Sequence, residues 1–295
     1  MGKSFFFVVI LMSVTTTLAG LNDPNLRLRD THPLDNMPLV DNPQVNYQGT
    51  AAPKEQRGIE YRKWLAASVK IRVGGSSGSG TIVYYDKEKN KAYVASCGHL
   101  WSGSRSFKPG DSGKDCKVIA WYHNDKKLAE EKTYKAKVLF WSNHSGPDTS
   151  LIAFTPDWEP RYFPIAPLNH SIPTGKRVHS CGADGGREVA HYDVEIKGIQ
   201  GRNLVTQYNS PRPGRSGGGL MDERYYIATC WGTSNYNGSG VGYFTPLSGI
   251  HSYWGKNGHA WLLEIPAFGA AQELPVVDRN NPQGKYKKSY IPIPN

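Results

Sequence analysis

The sequence predicts an all-β chain built as two six-stranded antiparallel barrels, and three observations point there. Short apolar and β-branched runs recur in two sets of six. Glycine and proline, 32 and 20 residues, punctuate them. No sustained helical periodicity competes with that pattern. The 295 residues suffice for one large core, and two small barrels in about 200 residues are ordinary for a single β domain.

Taken in order, residues 1–19 read as a secretory leader: Lys3 supplies the positive start, FFFVVILMSV the apolar centre and Thr17-Leu18-Ala19 the small residues before the cut. The apolar run falls short of the roughly 20 residues a membrane span needs. Residues 20–58 are rich in Asp, Asn and Pro without either period, and read as a pro-segment or extended arm. A single two-barrel domain is expected over 59–262, its halves at about 59–156 and 157–250, with a Pro-containing tail over 263–295. After a short helix at 60–67, the first six strands are SVKIRVGG, GTIVYYD, KAYVASCG, CKVIAWYHN, YKAKVLFWSN and SLIAFTP. The second six are FPIAPL, KRVHSCG, EVAHYDVEIKGI, NLVTQYN, RYYIATCWG and GVGYFTP, followed by a partly helical HSYWGKNGHAWLLEI.

Three motifs carry chemistry. VASCGHL holds His99, DTSLIAF opens on Asp148, and GRSGGGL holds Ser216. A serine hydroxyl is a poor nucleophile until an imidazole takes its proton, and the imidazole needs a carboxylate to fix its tautomer. With His99 and Asp148 in the first half and Ser216 in the second, the site is expected in the crevice between the barrels. Gly214 lets the chain turn so that its N–H and that of Ser216 converge on a developing oxyanion, while Gly217 and Gly218 are expected to keep bulk from the substrate carbonyl.

These motifs, with YYIATCWG and GVGYFTP after them, resemble the trypsin/chymotrypsin superfamily over roughly Tyr61 to Ile250. The resemblance implies a secreted serine endopeptidase with the triad His99, Asp148 and Ser216, a backbone oxyanion hole at Gly214 and Ser216, polypeptide substrates and no cofactor. It also implies that Ser210 floors the pocket for the side chain before the cut, giving an uncharged floor that favours neutral or apolar residues. Trp231 and Gly232 would line the cleft and bond the substrate as an added strand. One departure is Arg215, which stands where trypsin has the aspartate that receives a new N-terminus. A cation cannot receive an ammonium group, so Arg215 is expected to point outward and the glycines to turn unaided. Another is Cys97, two residues before His99, which removes the disulfide usual beside that histidine.

Other readings weigh less. GRSGG as the nucleophile elbow of an α/β-hydrolase, with His251 or His259 as base, needs a helix directly after Ser216, and three glycines followed by a strand make a poor one. A catalytically idle secreted binding protein on the same fold is the alternative from another class, but all three reactive positions are filled. Asp111, Asp125 and Asp157 are fallback carboxylates that lack an apolar strand after them. Cys97, Cys116, Cys181 and Cys230 permit two disulfides in an exported chain, with Cys97–Cys116 and Cys181–Cys230 favoured by proximity. Cys97-Gly98-His99 and His179-Ser180-Cys181 lack tight C-x-x-C spacing, so no metal is expected. The formal charge of +10 describes a solvated basic surface suited to anionic surface polymers, and no nucleic-acid motif accompanies it.

Overall fold

The structure is a computed structural model that describes residues 64–103, 107–122, 130–187, 189–235, 240–266, 275–276 and 287–288. The leader and the arm expected over 1–58 lie outside these residues, as does Asp125.

Twelve strands form two closed barrels. The first comprises β1 (Ser68–Val73), β2 (Ser76–Asp86), β3 (Lys91–Ser96), β4 (Asp115–Tyr122), β5 (Glu130–Ser142) and β6 (Thr149–Phe154), hydrogen-bonded in the order β1-β2-β3-β6-β5-β4. The second comprises β7 (Arg177–Gly182), β8 (Ala190–Gln200), β9 (Asn203–Gln207), β10 (Gly219–Met221), β11 (Tyr226–Thr233) and β12 (Gly242–Pro246). Its order, β7-β8-β9-β12-β11-β10, repeats that of the first strand for strand. All twelve pair antiparallel, so every strand returns beside a neighbour and neither barrel leaves an unpaired edge. This is a trypsin/chymotrypsin-like fold. Helix α1 (Leu247–Lys256) follows β12 and seats Leu247, Ile250 and Trp254 in the core, and a 3-10 turn at Ala260–Leu263 closes the domain. Among the described residues no helix is long and apolar enough to cross a membrane.

Val69, Ile71, Val94, Val118, Val138 and Ile152 fill the first barrel. A second cluster joins the inside of the second barrel to the outer face of the first, bringing Ala95, Phe140 and Leu151 against Leu220, Tyr226 and Phe244. At about 25 cal/mol per Å2, burial of this shared surface is the main force holding the barrels together.

Two details differ from the sequence reading. FPIAPL is not a strand: Ile165 makes only an isolated bridge to Tyr226. Pro164 and Pro167 flank it and have no N–H to give a ladder. The sixth strand of the second barrel is instead the three-residue β10, which begins inside the GRSGGGL motif, where short length and glycines hide the strand signal.

The expected disulfides are absent: all four cysteines are free and buried. Cys97 follows β3 and Cys116 lies on β4, which stand on opposite walls of the first barrel. Cys181 on β7 and Cys230 on β11 flank β10, which pairs with both. Two strand spacings separate them, roughly 9–10 Å, beyond the span a disulfide bridges. Each thiol acts as a small apolar side chain. Burial pushes the Cys116, Cys181 and Cys230 thiols up to about 12 and Cys97 well above its usual value, so none is a ready thiolate.

Candidate active site

The site is built from strand ends. β3 and β6 pair with Ser96 opposite Ser150, so the residues after β3 meet those before β6. His99 lies on the 3-10 turn His99–Trp101 just past β3, and Asp148 just ahead of β6. There His99 Nδ1 and Asp148 Oδ2 lie 2.8 Å apart. Asp148 Oδ1 accepts the backbone N–H groups of Gly98 at 2.6 Å and His99 at 2.9 Å. A carboxylate taking two backbone bonds stays ionised and is acceptor-only. His99 Nδ1 therefore donates, and in the neutral imidazole that tautomer places the lone pair on Nε2, the form a general base requires.

Asp148 has a second imidazole. His144 Nδ1 lies 2.7 Å from the same Oδ2, and its ring stacks on His99 with centroids 5.1 Å apart. Burial alone would raise the Asp148 pKa, but hydrogen bonds from His144 and His99 outweigh it and hold the carboxyl well below its ordinary range. The hydrogen bond to Asp148 raises His144 in turn. The sequence reading missed His144, whose signal was only its place four residues before Asp148. Of the fallback carboxylates, Asp157 is exposed and bonded to Lys132 and Tyr134, and Asp111 accepts from the backbone of Lys108.

Ser216 approaches from the second barrel on the turn before β10. Its carbonyl accepts the Ser79 N–H at 2.7 Å, and the next residue, Gly217, presses against Ser79 O and Ser96 Oγ, three residues from His99. Among the described residues Ser216 Oγ makes no hydrogen bond to His99 Nε2, which has Cys97 Sγ at 3.7 Å. Gly214 has φ +93°, a conformation that L side chains rarely adopt. Among the described residues no acceptor is bonded to the N–H of Gly214 or of Ser216. Gly217 and Gly218 are small for a reason the sequence reading did not give. A Cβ on either would lie 2.1 Å from Ser79 O or 2.0 Å from Cys181 O, so both are small because backbone passes behind them.

The expectation for Arg215 is reversed. Its side chain points inward and is 1% exposed. Nε and Nη2 donate to the two carboxylate oxygens of Asp184 at 2.7 and 2.5 Å, and Nη1 donates to Asn209 O at 2.8 Å. The guanidinium stacks on Tyr192 at 3.6 Å. Burial opposes the charge, yet Asp184 and Tyr192 more than offset it and raise the Arg215 pKa. A bidentate carboxylate from the β7–β8 loop thus occupies the guanidinium. Gly185 N–H to Pro213 O, at 2.6 Å, ties the same two loops together. Ser79 is the third tie: its hydroxyl donates to Gly214 O and accepts from Ala183 N–H, both at 2.7 Å. Neither Asp184 nor Ser79 stood out in the sequence, since ADGG and GSSGSG read as turn chemistry.

Ser210 is buried, and its hydroxyl donates to Asn235 O and accepts from Gly240 N–H, both at 3.2 Å. Trp231 stacks on Tyr243 and meets the His144 ring at a tilt, and Gly232 lies at a bulge against β12. A cavity of about 320 Å3 opens beside them, lined by His144, Pro147, Ile199, Arg202, Trp231 and Ser248. His251 and His259 bond backbone carbonyls, at Ala166 and Asn257, and the strand β10 rather than a helix follows Ser216, which removes the context the hydrolase-elbow alternative needs.

Solved structures share this architecture. The chain is similar to a serine endoprotease from Yersinia pestis, with 17% identity, TM-score 0.50 and coverage of 68% of this chain and 65% of that one. It is also similar to human heparin binding protein, with 13% identity, TM-score 0.50 and coverage of 70% of this chain and 94% of that one. The chain thus spans about two-thirds of the Yersinia protein's length. No protein-family model and no curated protein matches the sequence.

Proposed function

We propose that the chain is a secreted serine endopeptidase that hydrolyses peptide bonds through an acyl-enzyme. The observation that carries this reading is the His99–Asp148 couple, with Nδ1 committed to an ionised, backbone-bound carboxylate and Nε2 left as the base. In the proposed cycle Ser216 Oγ attacks the substrate carbonyl while its proton passes to His99 Nε2. The N–H groups of Gly214 and Ser216 receive the oxyanion. His99 then protonates the leaving amine, and water repeats the sequence to release the acid. Asp148 remains ionised throughout and stabilises the imidazolium. The uncharged Ser210 supports a preference for neutral or apolar side chains before the cut, with Trp231 and Gly232 as the wall along which an extended substrate adds as a strand. The basic surface supports retention on anionic polymers as a secondary property.

Labelling with a fluorophosphonate, followed by mapping of the modified residue, tests the reading. The expected product carries the label on Ser216, and Ser216→Ala neither labels nor cleaves a peptide library while keeping its fold. Turnover by Ser216→Ala at the wild-type rate would overturn the assignment.

A further inference from the structure

Outside the candidate active site, the register of one hairpin gathers three potential ligands. β7 and β8 pair with His179 opposite Asp193 and Cys181 opposite His191. His191 and Asp193, two apart on β8, share a face, and the pairing brings His179 onto it. His179 Nδ1 lies 2.8 Å from His191 Nε2 and 3.0 Å from Asp193 Oδ1, and those two atoms are 3.4 Å apart. Zn–N and Zn–O bonds are about 2.0–2.2 Å, so two ligands at tetrahedral to right angles stand roughly 2.9–3.5 Å apart. The three measured separations lie at or near that range, so a single point can bond all three atoms.

One proton cannot satisfy this triangle as a cation would. If His179 Nδ1 carries it, two acceptors compete for one N–H, whereas all three atoms can turn lone pairs toward a metal. The other nitrogen, His179 Nε2, faces Glu223 Oε1 at 3.4 Å, the carboxylate-behind-histidine arrangement that orients metal-bound imidazoles. Trp64 packs on both imidazoles, with centroids at 3.7 and 5.1 Å. Asp193 is 40% exposed on its side chain, which keeps one side open to water.

We propose that His179 Nδ1, His191 Nε2 and Asp193 Oδ1 bind one divalent cation of the Zn2+ class, with water completing its coordination. Two imidazoles and one carboxylate suit Zn2+, whereas Ca2+ and Mg2+ take oxygen-dominated shells. The sequence reading grouped His179 with Cys181 along one strand, but the partners that converge on it come from the neighbouring strand. The cation would clamp both strands that lead into the loop carrying Asp184, and so would stiffen the anchor of Arg215. The site is independent of the peptidase reading.

The test uses the full chain, stripped with chelator and titrated at neutral pH with Zn2+ by calorimetry and with Co2+ by visible absorption. One equivalent per chain, a Co2+ spectrum of nitrogen and oxygen ligation and a raised Tm at saturation are expected. Asp193→Asn and His179→Gln should each weaken affinity more than tenfold, and Glu223→Gln by about 10-fold or more. His99→Ala should keep the full equivalent, which distinguishes this site from the Cys97, His99 and Asp148 group. If His191→Asn does not fold, the half-exposed Asp193 still supplies the decisive variant. No stoichiometric uptake by the wild type, or wild-type affinity in Asp193→Asn, would overturn the proposal.

Discussion

Replacing Asp184 by Asn should cost far more than an ordinary loop substitution. The change is isosteric, so it removes charge and one acceptor without opening a cavity. Arg215, 1% exposed on its side chain, then keeps its charge in the interior with an amide where the carboxylate stood. The amide oxygen preserves one of the two bonds, at Nε or at Nη2, and the amide NH2 meets the other as donor against donor. Breaking one partner of a buried pair costs about 3–5 kcal/mol. Asp184 is 14% exposed and water can reach it, which places the expectation near the lower end, about 3 kcal/mol. Against a total stability of about 5–15 kcal/mol that is a large share. For a domain of this size it corresponds to a fall in Tm of roughly 6–12 °C. Thermal and urea unfolding followed by circular dichroism measure it, with Arg215→Met and the double variant closing the cycle. A change below about 0.5 kcal/mol in Asp184→Asn, the range of ordinary surface substitutions, would refute the claim that this pair holds the turn.

Asp148→Asn should lower peptide turnover by about 10⁴, because an amide oriented to accept from the backbone presents its NH2 to His99 and favours the wrong tautomer. The same carboxyl has a depressed pKa when folded, so its contribution to stability is present above the unfolded value of about 3.9 and is lost as pH falls through the folded one. Acid unfolding below about pH 4 should therefore be shallower in Asp148→Asn than in the wild type, and equal profiles would contradict the bonding described. Gly217→Ala should destabilise by roughly 2–5 kcal/mol in urea, since φ is +88° and the new Cβ would stand 2.1 Å from Ser79 O. Gly74→Ala, at φ +57° with open space around it, should lose only about 1–2 kcal/mol, and similar losses at both positions would show that close approach is not what demands glycine at Gly217.

Much of this fold was legible because its strands advertise themselves. Runs such as SVKIRV and TSLIAF are β-branched, apolar and bounded by turn residues, and they became β1 and β6. What failed lacked a local signal. FPIAPL has strand composition but prolines where N–H groups are needed, and β10 is too short for alternation to register. The order of His99, Asp148 and Ser216 was readable, whereas His144 and Ser79 were not, since only the folded chain shows what they touch. Arg215 was read as outward because a lone cation before the nucleophile has no visible partner. Its partner lies 31 residues earlier, in a loop whose composition says only that it turns. An even number of cysteines suggested bridges, but pairing depends on which walls of a barrel the thiols stand on.

Ser79 belongs to β2, yet its backbone N–H bonds Ser216 and its hydroxyl bonds both Gly214 and Ala183 of the other barrel. The turn that carries Ser216 is therefore finished by a residue from the opposite half of the chain. During synthesis the first half emerges early and the turn late, so the geometry of that turn exists only once the two halves have docked. A chain still being made, or one whose barrels have parted while each remains folded, lacks the ties that set that turn, so on the proposed reading hydrolysis would begin only once assembly is complete.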